Sequence, residues 1–162
     1  MKSILFVRHA KSGWTNPAIA DFDRPLNERG LRDAPEMARR LMEKNITIDA
    51  FVSSTALRAL TTAKLFQETF AADAGKLIEI NDLYHAYPPM FFDVIKKLDD
   101  KLNTVAIFAH NPGITDMVNR MKVARVDDMP TCAVFGVRTD ISHWKDFANA
   151  EKKFWFLDYP KM

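Results

Sequence analysis

An arginine and a histidine stand side by side at the end of a short apolar run, Ile4-Leu5-Phe6-Val7-Arg8-His9. A second histidine, His110, follows another such run, Thr104-Val105-Ala106-Ile107-Phe108-Ala109. A second arginine, Arg58, comes shortly after Val52-Ser53-Ser54-Thr55. Arginine stays charged, and its planar fork binds phosphate oxygens in pairs. Histidine has a neutral form near pH 7 and so serves as a nucleophile. Brought together, these four residues would make a site for a doubly charged phosphoryl group. Like charge disfavours protonation, so two nearby arginines should hold His9 neutral.

The apolar runs read as strands buried on both faces. Strands are expected at Ile4–Val7, Ile46–Val52, Leu77–Ile80 and Thr104–Ala109. Helical patterns separate them. Asn27 is placed to cap a helix whose apolar stripe is Leu31, Ala34, Ala38, Leu41 and Met42. Pro35 lies inside that pattern and should kink the helix or restart it near Asp33. Ala56, Ala59, Leu60, Ala63, Phe66 and Phe70 mark a second helix, with Ser53, Ser54 and Thr55 as candidate caps. Phe91–Leu98 and Ile114–Met121 read as two more. Two final strands, Cys132–Val137 and Phe154–Tyr159, flank a connection from Thr139 to Lys153. The expected architecture is α/β: a three-layer α/β/α sandwich with a mostly parallel central sheet. Residues 1–162 form one domain.

In such sheets ligands bind at the carboxyl ends of the strands. That rule carries Arg8, His9, Arg58 and His110 to one edge, together with Asp82 and His85 after the third strand. Arg58 falls in the first turn of its helix, where the dipole disfavours a cation. The N–H groups there attract anions, so an arginine beside them makes sense if both face the same phosphate.

Composition narrows the partners. A net charge of +2 gives no ground for a nucleic-acid or membrane partner and is compatible with an anionic substrate. The single cysteine, Cys132, allows no disulfide within the chain, which points to a reducing compartment. Met1–Arg8 is too short an apolar run for a signal peptide, and no segment reaches membrane-spanning length. A cytoplasmic protein is expected; its oligomeric state is open. Cys132 and Arg138 have the spacing of cysteine-dependent phosphatases, but the residues between them read as a strand and not as a Gly-rich phosphate loop.

Arg8-His9, Leu26-Asn27-Glu28-Arg29-Gly30, Ser54-Thr55-Ala56-Leu57-Arg58-Ala59 and His110-Asn111-Pro112 together resemble the histidine phosphatase superfamily, the phosphoglycerate-mutase-like fold. Arg8-His9-Ala10-Lys11-Ser12 followed by Asp23-Arg24-Pro25-Leu26 resembles its short SixA-type phosphohistidine phosphatases in particular. One departure is Thr55, where the family carries a proline.

The resemblance implies that His9 is the nucleophile and becomes phosphorylated. It implies that Arg8, Arg58 and His110 clamp the phosphoryl oxygens, and that neither metal nor cofactor takes part. Asn111 offers a further donor to the phosphate. In larger relatives the loop after the third strand supplies an acid for the leaving group. Here His85 stands in that place, with Asp82 or water as the alternative. The expected substrate is a phosphorylated protein or a small phosphoester. Two other readings stay open: a phosphosugar mutase or bisphosphatase, and a phosphate-binding module without catalysis. The short span between Arg58 and His110 leaves no room for a roof over the pocket, which disfavours the mutase. A binding clamp needs no nucleophile, which disfavours the module.

Overall fold

The computed structural model describes residues 1–14 and 16–161. Thr15 and Met162 lie outside them. Six strands form one sheet: β1 (Lys2–Arg8), β2 (Ala50–Ser53), β3 (Leu77–Glu79), β4 (Thr104–Ala109), β5 (Val134–Thr139) and β6 (Lys152–Asp158). Their spatial order is β3-β2-β4-β1-β5-β6. The first four in that row run parallel, and β5 and β6 close the sheet antiparallel. Four helices cover it: α1 (Glu28–Glu43), α2 (Leu57–Thr69), α3 (Pro88–Lys96) and α4 (Gly113–Arg120).

Alternation along the strands builds two cores. Leu5 and Val7 of β1 face one side with Phe51 and Phe108, against Met37 and Leu41 of α1 and Phe66 of α2. Ile4 and Phe6 face the other side with Ile107 and Phe135, against Phe91 of α3, Met117 of α4 and Trp144. Sheet residues buried on both faces explain why the runs read as continuously apolar. The result is the three-layer sandwich that the pattern of elements predicts. Among the described residues no helix is long and apolar enough to cross a membrane.

Several local expectations need correction. Pro35 does not restart α1 near Asp33: the helix is continuous from Glu28 to Glu43. Pro35 and Leu31 lie on the outer side of the helix, so the carbonyl that loses its donor is open to water. Leu31 and Met42 do not join the core; they are 49% and 43% exposed. The buried stripe runs through Gly30, Ala34, Met37, Ala38 and Leu41, and these two stand at its margin. Ile46 and Ile48 are buried, but β2 takes up its ladder only at Ala50.

Two glycines let helices close against the loops of the site. A Cβ on Gly30 would lie 2.2 Å from the Lys11 carbonyl oxygen, and one on Gly113 would lie 1.7 Å from that of Ala86. Both neighbours are backbone, so only glycine fits.

Candidate active site

β1 and β4 are in register with Arg8 opposite Ala109. The next residues, His9 and His110, therefore emerge side by side, with ring centroids 5.2 Å apart. β2 pairs with β4 so that Ser53 faces Phe108, which brings Ser54 alongside. α2 starts just beyond and places Arg58 in its first turn. Arg8, His9, Arg58, His85, His110 and Asn111 all line one cavity of about 480 Å³. Its opposite wall comes from the segment after β1: Lys11, Ser12, Trp14, Asp21 and Arg24.

The floor is tightly held. The Arg8 amide donates to the Ala133 carbonyl and the His9 amide to the Ala109 carbonyl, each at 3.1 Å. The Cys132 amide donates in turn to the Arg8 and His9 carbonyls. His9 Nδ1 lies 2.7 Å from the Ala10 carbonyl oxygen. A carbonyl only accepts, so Nδ1 carries the proton and Nε2 keeps its lone pair. That lone pair faces Arg58, whose Nε lies 3.3 Å away. Burial, then the charges of Arg58, Arg8 and Arg24, outweigh the Ala10 hydrogen bond and lower the His9 pKa to about 3. His9 is thus neutral as expected, with burial leading and the arginines second. His110 is lowered to about 2 by burial first, then by His9 and Arg58.

Around these imidazoles sit buried nitrogens without partners. Among the described residues, buried Arg8 Nε and His110 Nδ1 have no hydrogen-bond partner. Arg8 Nη1 donates to the Met129 carbonyl at 2.8 Å, which anchors the side chain and leaves Nε free. Buried polar atoms are rarely orphaned, and orphans in a cavity mark the place of a ligand. Arg8 Nε is always a donor, so a ligand beside it must bring an acceptor, which is what an oxyanion does. Among the described residues, no group of three or more histidine, cysteine, aspartate and glutamate side chains is arranged to hold a metal.

Residues 4–84 match the family model of the histidine phosphatase superfamily, branch 1. The chain belongs to this superfamily. An uncharacterized Mycobacterium tuberculosis protein is 34% identical over 106 residues, which cover 65% of this chain and 63% of that relative's length. The structure of the protein histidine phosphatase SixA complexed with tungstate superposes with a TM-score of 0.83 at 18% identity, covering 98% of this chain and 97% of that one. SixA from Agrobacterium tumefaciens gives 0.81 at 23% identity, covering 98% and 99%. At these identities the two structures speak for the fold, which is the phosphoglycerate-mutase-like one expected.

Other residues of the site are placed less simply. Asn111 lines the cavity, but its amide nitrogen already donates to Asp128 Oδ1 at 2.8 Å and to the Met129 carbonyl at 3.2 Å. Its oxygen accepts from Thr115. With both of its hydrogens used, the Asn111 side chain holds the loop that anchors Arg8 and has no hydrogen left for phosphate. His85 is exposed at the mouth, its ring 3.9 Å from that of Tyr84. Asp82 lines a separate hollow with Ile80 and Val94 and does not reach the cavity. None of Ser53, Ser54 and Thr55 occupies the capping position of α2, which falls on Ala56. Cys132 is wholly buried, burial pushes its thiol up, and Arg138 packs on Trp155 instead of joining it.

Asp21 is the functional residue that sequence reasoning missed. It sits in a 3-10 turn, Asp21–Asp23, between α1 and the end of β1. Its carboxylate accepts from Arg58 Nη2 at 3.0 Å and from the Tyr84 hydroxyl at 2.6 Å, and its carbonyl from Arg58 Nη1 at 2.7 Å. Arg24 reaches it at 3.2 Å. Partial burial raises its pKa, but the hydrogen bonds from Tyr84 and Arg58 and the Arg58 charge prevail and bring it to about 2. Asp21 is therefore a fixed anion that aims Arg58, with no proton to give at neutral pH. Nothing in its spacing signals this, because a loop residue obeys no period.

Proposed function

We propose that this chain is a metal-independent phosphatase that hydrolyses a phosphomonoester or a phosphohistidine through a phosphohistidine intermediate on His9. The observation that carries the reading is the His9 tautomer. Nδ1 is tied to the Ala10 carbonyl, so Nε2 presents its lone pair beside Arg58 and the cavity. In the first step Nε2 attacks phosphorus, a P–N bond forms and the bond to the leaving oxygen or nitrogen breaks. Arg8, Arg58 and His110 take the charge that spreads over the three equatorial oxygens. In the second step water attacks phosphorus, the P–N bond breaks, and inorganic phosphate leaves.

His85 stands where a leaving group would depart and supplies its proton. Asp21, ionised down to about pH 2, is unsuited to that task. Asn111 serves as a brace for the loop behind Arg8. The tungstate bound by the SixA relative is a tetrahedral oxyanion like phosphate, which favours the same use of the cavity. The residues from Arg58 to His110 are spent on α2, β3 and α3, and none forms a roof over the cavity. An unroofed site favours a phosphorylated protein or a generic phosphoester over a small phosphosugar held for mutase exchange.

The test is hydrolysis of an aryl phosphate and a phosphoramidate in excess EDTA, beside exchange between phosphoglycerate isomers. The reading expects hydrolysis of both substrates, unaffected by the chelator and faster than exchange. A requirement for added Mg²⁺ or Zn²⁺, or exchange that outruns hydrolysis, would overturn it.

A further inference from the structure

Ser54 takes no part in the steps above, yet it is wholly buried against a reacting group. Its Oγ lies 2.8 Å from His110 Nε2. The amide of Ala56, which opens α2, donates to the same Oγ at 3.2 Å. On the far side of the ring, His110 Nδ1 is buried in the cavity wall with no partner. We infer that Ser54 is a positioning residue that locks His110 as the Nδ1–H tautomer, so that His110 meets the phosphoryl group as a neutral hydrogen-bond donor. The inference rests on the phosphatase reading for its consequence and on hydrogen-bond accounting for its substance.

A serine hydroxyl has one proton to donate. Among the described residues, the acceptor within reach of Ser54 Oγ is His110 Nε2. Were Nε2 protonated instead, two protons would compete in that contact and the hydroxyl proton would be left buried without an acceptor. The Nδ1 lone pair would then face the oxygens of an anionic substrate, lone pair against lone pair. With the serine donating, every group is used: the Ala56 amide donates to Oγ, Oγ–H donates to Nε2, and Nδ1–H is left for a phosphoryl oxygen. The relay begins at the N-terminus of α2, whose amides polarise the hydroxyl in the direction needed.

Register explains why Ser54 is there. Ser53 is paired with Phe108, and the Ser54 amide donates to the Phe108 carbonyl at 3.0 Å. That places Ser54 one strand away from His110, with its backbone fixed. The outcome is opposite to that at His9, where a backbone carbonyl accepts the Nδ1 proton and leaves a lone pair on Nε2. Two neutral imidazoles thus enter the same cavity in different roles, one as nucleophile and one as donor. Neither has to change its protonation state to bind substrate.

The test reads the tautomer directly, by ¹⁵N chemical shifts of the imidazoles in the full-length protein, with His110→Gln supplying the assignment. In the wild type, His110 Nδ1 is expected at the protonated position and Nε2 at the unprotonated one. Added inorganic phosphate or tungstate should shift the Nδ1 proton. In Ser54→Ala the Nδ1–H form should give way to Nε2–H or a mixture, while the His9 signals stay unchanged. Tungstate affinity and kcat/KM should each fall about 10- to 100-fold, as for removal of other ligand-orienting partners. A wild-type His110 protonated at Nε2, or an unchanged tautomer in Ser54→Ala, would overturn the inference. If Ser54→Ala fails to fold, the wild-type tautomer and its response to phosphate decide alone. Finding Nδ1–H on His110 but no phosphorylated His9 would count against the phosphatase reading and leave this inference standing.

Discussion

The floor and the mouth of the cavity are built from different kinds of structure. His9, Arg58 and His110 on the floor are each about 5–6% exposed and stand on strand ends or a helix start. Their side chains are held by backbone carbonyls, by Ser54 and by Asp21. Trp14, Lys11 and His85 at the mouth are exposed and belong to loops. Trp14 is 67% exposed and lies over the Arg24 guanidinium at 3.8 Å from its ring centre. On the proposed phosphatase reading, the floor is preorganised for the part of a substrate that is always the same, the phosphoryl group, and the mouth meets the part that varies, the leaving group. Rigid elements suit the first task and loops suit the second.

The sharpest way to break that comparison is to remove a floor charge. Arg58→Ala should lower kcat/KM by about 10³-fold or more, because a guanidinium that stabilises a phosphoryl transition state contributes on that scale. The loss should be alike for phosphoramidate and ester substrates, since both transfer the same group. Steady-state kinetics on both checks this. A loss confined to one substrate class would move Arg58 from the floor to leaving-group recognition.

A mouth residue should behave in the opposite way. His85→Ala should cost about 10²-fold on an alkyl or aryl phosphate, the usual worth of a positioned acid. The same change should cost a phosphoramidate or phosphohistidine only a few-fold, because imidazole titrates near pH 6.5 and can leave with its own proton. The ratio of kcat/KM for the two substrates, wild type against variant, is the readout. Equal losses would mean that His85 shapes the loop or holds phosphate.

The floor also leaves a mark on stability. His9 and His110 have folded pKa values near 3 and 2, against about 6.5 in the unfolded chain. Between those limits the unfolded chain binds more protons, so stability rises with pH and is lost as pH falls below about 6.5. Each group contributes a slope of up to about 1.4 kcal/mol per pH unit in that window. Asp21 acts in the same direction lower down: its stabilisation is present above the ordinary carboxylate range and is lost as pH falls toward 2. Urea unfolding of the wild type at pH 7.5 and pH 5 should show the decline, and a His9→Gln/His110→Gln variant should show a shallower one. Equal slopes in the two proteins would contradict the burial of two neutral imidazoles.

The same division decides what could be read from the amino-acid order. Arg8, His9, Arg58 and His110 were legible because each follows an apolar run, and parallel strands bring their carboxyl ends to one edge. The sandwich was legible for the same reason: the runs are continuous where both faces of the sheet are covered. Asp21 was not, since its role depends on where a 3-10 turn folds over Arg58. Ser54 was seen only as a candidate cap; its contact with His110 comes from the register of β2 on β4, which no local pattern encodes. Asn111 has the right type and place for a phosphate donor, but Asp128 and Met129 take its side-chain hydrogens. Leu31 and Met42 fit the helical period and still missed the core by standing at the edge of the stripe.

The central claim is that His9 Nε2 forms a bond to phosphorus. It is tested most directly by mixing the protein with a ³²P-labelled phosphoramidate, quenching in base, where phosphohistidine survives, and mapping the label. The account predicts label on His9 that appears and decays within turnover, none in His9→Ala, and turnover in that variant down by about 10⁴-fold or more with phosphate still bound. Label on another residue, or a His9→Ala protein that turns over at a near-normal rate, would contradict it.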